Sequence, residues 1–509
     1  MNQNHFITNY LENSSVSKSK LNSGAISYIS MIDHINSISP EIARSIVKEL
    51  SDQKNNLKMI ASENFSSLAV QLSMGNLFTD KYAEGFPFHR FYAGCDNVDE
   101  IENMAAQSAC ELFNSENAYV QPHSGADANL IAFWSILNQK IQDPFLSKTD
   151  KKDVSQLSGN EWSELRKAFG EQKLLGMNYY SGGHLTHGYR HNVSSRMFNV
   201  ESYDVDQKTM LIDYDVIRDK AKKFQPLILL AGYSAYPRKI NFRIFKEIAD
   251  EIGAVLMVDM AHFSGLVAGK AFSGDFNPVP FADVITSTTH KTLRGPRGGM
   301  VLSTSEFSDQ VNKGCPMVMG GPLPHVMLSK ALAFKEAQSK EFETYTKNII
   351  SNASSLAENC INQGLEVLTG GTDNHLLLID VSQLNLTGRQ AESAIRSAKI
   401  TLNRNSLPFD KNGPWYTSGL RLGTPAVTSL GMGPSEMKII AETLKIVLEN
   451  TTPETIKKGA RSGQLSKAKF SLNEEALQQA KVNVTNLLEQ FPLYPELDIK
   501  YLENHFLVN

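Results

Sequence analysis

The chain has 509 residues, 41% of them hydrophobic and 20% charged, which is enough material for at least two buried cores and excludes a largely disordered protein. A formal net charge of -4 and a sequence pI of about 6.3 exclude the basic field that nucleic acid or an anionic membrane requires, and no apolar run reaches spanning length. Cys95, Cys110, Cys315 and Cys360 lie apart without a CxxC pair, so no metal ribbon and no disulfide framework is expected. The opening residues lack both an apolar segment and arginine, which is unlike a secretory or transit peptide, and the chain is expected to work in a reducing cytoplasm.

Residues 1 to about 25 are polar and rich in Asn and Ser, and they read as a loose arm. Pro40 to Leu50 spaces its apolar residues as a helix, with Ser39 as its cap and Pro40 at its first position. A second helix is predicted over Val98–Phe113. The run Tyr119 to Pro122 reads as a strand end, followed by Ser124-Gly125 and a helix from Ala126. A strand that turns into a helix N-terminus presents free N–H groups and the positive end of the dipole, which suits a phosphate. Residues 141 to 173 turn polar and lysine-rich and read as a surface insertion with one helix, Glu161 to Phe169. Paired glycines then precede His184 and His187.

Beyond a connector with a helix near 205 to 221, Pro226 to Leu230 reads as a strand, Phe242 to Ile252 as a helix and Ala254 to Met260 as a strand ending on Asp259. Ala282 to Thr286 is another buried strand, followed by hydroxyls, His290, Lys291 and the cluster Gly295, Pro296, Gly298, Gly299. Strands alternating with helices predict an α/β fold around a large, mostly parallel sheet, with its site at the strand ends. A lysine on a tight loop and an acid at a neighbouring strand end are the two parts that pyridoxal phosphate (PLP) binding needs: an amine to condense with the aldehyde and a carboxylate for the ring nitrogen. Leu328 to about Gln363 reads as one long helix leading to a second part. That part has short strands at Leu376–Val381 and Ile400–Asn403, a helix at Gly388–Ser397, and amphipathic helices between Pro434 and Leu488. The tail beyond stays unassigned.

The segments IASEN (60–64), KYAEG (81–85), QPHSG (121–125), GGHLTHG (182–188), VDMAH (258–262), TTHKTLRGPRGG (288–299), GGTDNH (370–375) and TSGLRLGTPA (417–426) occur in one order through both parts. Together they resemble the serine hydroxymethyltransferases, PLP enzymes of the aspartate aminotransferase-like fold (fold type I). The resemblance covers about Ser39 to Tyr494 and implies residues 1–54 as an arm and helix, 55–338 as a large PLP-binding domain and 339–509 as a smaller C-terminal α+β domain. It implies reversible conversion of L-serine and tetrahydrofolate to glycine and 5,10-methylenetetrahydrofolate. A folate-independent PLP aldolase or racemase acting on small amino acids is the alternative enzyme, and a catalytically silent protein of the same fold is the alternative from another class.

Carried to matching positions, the resemblance makes Lys291 the amine that holds the cofactor and Asp259 the partner of its ring nitrogen. His184 stacks on the ring, and Ser234 and His262 surround the cofactor oxygen and substrate carboxylate. Thr288 belongs to the catalytic set. Ser124, Gly125, Ala126 and His290 stand on the phosphate side, where Ala126 replaces the second hydroxyl of the family pattern. Arg421 grips the substrate carboxylate with help from Ser62. Glu84 acts as acid or base at the serine hydroxyl, with Tyr82 and Tyr92 in its segment, and folate contacts fall on Gly182, Gly183, Leu185 and Asn405. Tyr82, Glu84, Gly320 and Gly321 are expected to reach the site of a neighbouring subunit, where Tyr82 and the backbone of Gly320 and Gly321 bind the cofactor, the glycines at its phosphate, so that the functional unit is a homodimer or a dimer of dimers. PMVMGG (316–321) departs from the family's glycine-rich run, and Tyr179 and Phe409 differ from the residues usual near folate.

Overall fold

The computed structural model describes residues 5–17, 20–459 and 462–507. Its centre is a sheet of seven strands: β1 (Asn117–Tyr119), β2 (Lys173–Met177), β3 (Asn199–Tyr203), β4 (Ile228–Gly232), β5 (Val255–Asp259), β6 (Val284–Thr288) and β7 (Gly299–Ser303), in the spatial order β1-β7-β6-β5-β4-β2-β3. The five from β2 to β6 run parallel, and β7 is antiparallel to both β6 and β1. Every residue of β4 to β7 is buried, because helices cover both faces and leave no polar side to alternate with. This is the fold type I arrangement that the sequence predicts.

Register brings the carboxyl ends of the parallel strands level: Gly232 pairs with Asp259, and Asp259 with Thr286. Gly232 has φ +123° and a Cβ there would stand 2.1 Å from the Asp259 carbonyl, so only glycine lets the β4 chain turn away at this height.

A second sheet of four antiparallel strands, β8 (Glu366–Val367), β9 (Leu376–Asp380), β10 (Asn403–Asn405) and β11 (Gly419–Gly423), is ordered β8-β9-β11-β10. Its own core joins Leu377, Ile379, Leu420 and Leu422 to the helices Gly388–Ser397, Pro434–Glu449 and Glu474–Gln490. Leu57–Lys58 pairs in parallel with Ile400–Thr401, so the chain reaches this second core before it enters the large sheet.

Four expectations are corrected. The N-terminal arm is helical over His5–Asn13 and Ser23–Ile38, and its Phe6 and Tyr10 pack with Leu497, Leu502 and Phe506 of the C-terminal tail, which itself forms a helix, Ile499–Phe506. Tyr10 Oη accepts the Asp498 N–H at 2.7 Å, a contact across 488 positions that no local pattern carries. Ser39 gives no side-chain cap to the helix Pro40–Asn55, since its hydroxyl donates to the Glu41 carboxylate instead. The long helix divides into Pro324–Ala337 and Lys340–Asn362, because Ser339 Oγ accepts the Phe342 N–H and starts a new helix. Between the two C-terminal helices stands a hairpin, Thr451–Thr455 with Leu465–Leu472, whose side chains alternate in exposure with the period of a strand.

Candidate active site

Lys291 lies just past the end of β6, where the chain breaks into a loop that returns as β7. Its Nζ donates to Thr288 Oγ1 at 3.3 Å, and Thr288 Oγ1 donates in turn to the Ala261 carbonyl at 3.1 Å. Burial lowers the Lys291 pKa to about 8, with the Asp259 charge opposing and Arg421 and Arg297 adding to the fall. Asp259 ends β5. Its Oδ2 accepts from Asn129 Nδ2 at 2.9 Å and faces His187 Nε2 at 3.2 Å, and its Oδ1 accepts the Ala261 N–H at 3.0 Å. Burial alone would raise this carboxyl, yet the hydrogen bonds from His187 and Asn129 hold it well below the usual carboxylate range. A buried acid kept ionised in this way can answer a protonated ring nitrogen.

His184 is fixed by its own turn: Nδ1 lies 2.7 Å from Thr186 Oγ1 and accepts the Thr186 N–H. Burial lowers its pKa to about 4, so the imidazole is neutral and its flat face is free of charge. His262 Nδ1 lies 3.1 Å from His375 Nε2, a pair in which each ring settles the other's tautomer. Burial, then the nearby Lys291, holds His262 well below its ordinary pKa; burial brings His375 to about 3.

Arg421 on β11 donates Nε to Asn403 Oδ1 at 3.1 Å and Nη1 to the Ser234 carbonyl at 2.7 Å, which leaves Nη2 without a protein hydrogen bond among the described residues. Burial lowers its pKa only to about 10, so it stays a cation. Next to it a cleft of about 240 Å³ is lined by Tyr179, Gly183, Ser234, Asn405 and Arg421 among others. Gly182 has φ +112° and its carbonyl accepts the Ser234 N–H, while a Cβ on Gly183 would stand 2.2 Å from the Met177 carbonyl. Leu185 on the following turn is exposed. Ser62 comes to the same strand because Gly423 lets the chain at Ala61 pass within 2.4 Å of where a Cβ would be.

Ser124 caps the helix Gly125–Leu137, its Oγ accepting the Asp127 N–H at 3.1 Å. A Cβ on Gly125 would stand 2.7 Å from Thr288 Cγ2, and one on Gly299 2.2 Å from the Ser124 carbonyl, so glycine brings the cap against the loop that carries His290 and Lys291. Ala126 is exposed at the first turn of the helix. His290 is lowered to about 3 by burial and the neighbouring Lys291, and its Nδ1 is buried without a partner. An orphaned imidazole nitrogen, a helix N-terminus, an ionised buried acid and a partly deprotonated lysine fit PLP: phosphate, aldehyde and ring nitrogen each have an answering group.

Tyr82, Glu84, Tyr92, Gly320 and Gly321 form a separate group. Tyr82 Oη donates to Glu84 Oε1 at 3.3 Å, and the Tyr82 and Tyr92 rings meet edge to face at 5.1 Å. A Cβ on Gly320 would stand 3.5 Å from Glu84 Oε1, and one on Gly321 3.2 Å from the Tyr82 ring. Among the described residues no hydrogen bond, ion pair or charge interaction joins this group to Lys291.

Sequence reasoning gave no role to Asn129, His187, His375 or Lys330. Asn129 and Lys330 sit on helices, where helical spacing marks them only as inward-facing. His187 and His375 lie within GGHLTHG and GGTDNH, so the motifs pointed to them without giving a role.

The profile of the family described as serine hydroxymethyltransferase matches residues 35–147 and 164–444, leaving out 148–163. A serine hydroxymethyltransferase from Treponema pallidum is 58% identical over 487 residues, which is 96% of this chain and 84% of the relative. One from Cutibacterium acnes is 52% identical over 476 residues, 93% of this chain and 96% of the relative. One from Chlamydia trachomatis serovar D is 51% identical over 494 residues, 97% and 98% of the two chains.

Proposed function

The chain belongs to the serine hydroxymethyltransferase family, and from that membership we propose how its own residues carry the family reaction, the reversible conversion of L-serine and tetrahydrofolate to glycine and 5,10-methylenetetrahydrofolate. It is a PLP-dependent transferase. When bound, PLP supplies an electron sink for the pair released at the substrate α-carbon.

Lys291 would hold the cofactor through its amine, which burial, with a pKa of about 8, keeps partly neutral at physiological pH and so able to condense with an aldehyde. Asp259, kept charged by Asn129 and His187, keeps a proton on the ring nitrogen. The neutral His184 ring covers one face and keeps water from it. Ser124, Gly125, Ala126 and His290 receive the phosphate through N–H groups and the free His290 nitrogen. Arg421 offers the substrate carboxylate its remaining Nη2 edge, with Ser62 beside it. His262, its Nδ1 taken up by His375, turns Nε2 toward cofactor oxygen and substrate. The cleft at Gly182, Gly183, Leu185 and Asn405 takes the folate.

Glu84 moves the proton at the serine hydroxyl, and it does so in the site of a second copy of this chain. Leu77, Tyr82, Phe88, Phe91 and Tyr92 are all exposed within one short segment, with Leu77 at 82% and Phe88 at 71% of full exposure. Apolar groups so crowded on a surface favour self-association, and Gly320 and Gly321 lie in the same patch. The working unit is therefore a homodimer with two shared sites, built from an arm and helix (1–54), a large domain (55–338) and a small domain (339–509). No helix among the described residues is long and apolar enough to cross a membrane, and the protein is assigned to the cytoplasm.

The ionised Asp259 beside a lysine of lowered pKa carries this reading. The test is conversion of serine to glycine by the PLP-loaded protein with and without tetrahydrofolate. Dependence on both folate and Lys291 is expected; cleavage that ignores folate would leave the aldolase or racemase reading, and equal turnover by Lys291→Ala would overturn the lysine's role. Mixing Lys291→Ala with Glu84→Gln should restore about a quarter of the activity through hybrid dimers, whose one intact site combines the good residues of both chains. No restoration would place Glu84 in its own subunit's site.

A further inference from the structure

Lys330 lies in the helix Pro324–Ala337 and is 1% exposed, among the largest fully buried side chains of the protein. Its three ammonium hydrogens have three acceptors: the carbonyls of Val120 at 2.6 Å, Pro122 at 2.9 Å and Gly299 at 2.9 Å. No carboxylate bonds to it, although Glu102 and Asp127 stand within electrostatic reach. A buried lysine without an ion partner is costly, and one whose donors all end on backbone carbonyls of two different chain segments acts as a tie between them.

Those segments are the two walls of the phosphate corner. Val120 and Pro122 lead directly into Ser124-Gly125, and Gly299 closes the loop that began with His290 and Lys291. The Gly299 N–H donates to the Pro122 carbonyl at 2.9 Å, extending the β1–β7 pairing of Tyr119 with Val301 to the point where Lys330 bonds both segments. Gln121, between Val120 and Pro122, is held separately from the other side, its Nε2 donating to Glu102 Oε1 at 2.7 Å and to the Gly85 carbonyl at 2.9 Å. Space around the tie is fixed: a Cβ on Gly298 would stand 2.5 Å from Lys330 Cε and 2.9 Å from Nζ. Burial pulls the amine's pKa down to about 7, while three carbonyl acceptors favour the charged form.

We propose that Lys330 is a positioning residue for the cofactor: its ammonium holds the Val120–Pro122 segment against Gly299 and so sets the distance between the phosphate-binding helix N-terminus and the loop of Lys291. It touches neither cofactor nor substrate. The proposal rests on the PLP reading given above and adds a residue to it.

The test is PLP affinity of the purified protein, measured by titrating the cofactor-free form and following absorbance, together with the denaturation midpoint of that form. Lys330→Met keeps the side-chain volume and removes the donors; Lys330→Gln keeps up to two donors without the charge. Leu444→Ala, in the core of the second sheet, is the control for a general loss of stability. The PLP dissociation constant is expected to rise about tenfold or more in Lys330→Met, less in Lys330→Gln, and less than about twofold in Leu444→Ala. At saturating PLP the KM for serine should stay within about twofold in all three, since no substrate group is touched. Should neither Lys330 variant fold, Gly298→Ala takes their place, because its methyl displaces Lys330 while leaving every acceptor, and it should weaken PLP to a similar degree. A folded Lys330 or Gly298 variant that binds PLP as wild type does, or loses no more than Leu444→Ala, overturns the proposal. Wild-type protein that fails to bind PLP would instead overturn the cofactor reading itself.

Discussion

Burial of Lys291 makes a quantitative claim about pH. An ordinary lysine with a pKa near 10.4 is neutral in only ~0.04% of molecules at pH 7, whereas one at about 8 is neutral in ~10%, a gain of roughly 250-fold in the reactive form. The direction follows from burial, which disfavours the ammonium, with Arg421 and Arg297 pushing the same way and Asp259 resisting. The perturbation is therefore pH, stepped from 6 to 9.5, with Lys291→Ala as the control that identifies the phase. The assay is stopped-flow mixing of PLP with cofactor-free protein, following the absorbance change as the aldehyde condenses. PLP's own pH dependence is measured against a small amine and divided out. The corrected rate constant should rise about tenfold per unit below pH 8 and flatten above it. A rate that keeps rising tenfold per unit through pH 9.5 would mean an ordinary lysine and would refute the account of the site.

Arg421→Lys loses the planar fork that both Asn403 and Ser234 hold in place; a loss of ~2–3 kcal/mol, or roughly 30- to 150-fold in KM for serine, is expected, and a KM within about threefold of wild type would contradict it. Asn129→Ala removes one donor from Asp259 and one from Thr186 Oγ1; unfolding of the cofactor-free protein in denaturant should show a cost of roughly 2–3 kcal/mol, and no measurable shift would remove Asn129 from the support of the acid. Gly232→Ala sets a methyl 2.1 Å from the Asp259 carbonyl at φ +123°, so the expected cost is roughly 3 kcal/mol or more; a melting temperature unchanged within a degree would show that β4 can move away.

Several features of this protein were legible without coordinates because they depend on neighbours in the chain. The buried strands ending at Asp259 and near Lys291, the helix begun by Ser124-Gly125, and the helix Phe242–Ile252 are each fixed by local hydrophobic period and turn residues. The fold class and the family followed from eight such segments in order. Strands such as Lys173–Met177 and Gly299–Ser303 carry no strong local signal, since their identity comes from pairing with strands that are distant in sequence.

What tertiary structure alone decided is which of the inward-facing polar residues answer one another. Asn129 and His187 converge on Asp259, His375 takes the free nitrogen of His262, and Lys330 reaches three carbonyls from two separate segments. The same holds for the N-terminal helix that meets the tail through Tyr10 and Asp498. Hydrophobic period shows that a side chain faces inward, but a hydrogen-bond partner hundreds of residues away leaves no mark on that period, and only the packed chain brings donor and acceptor within reach.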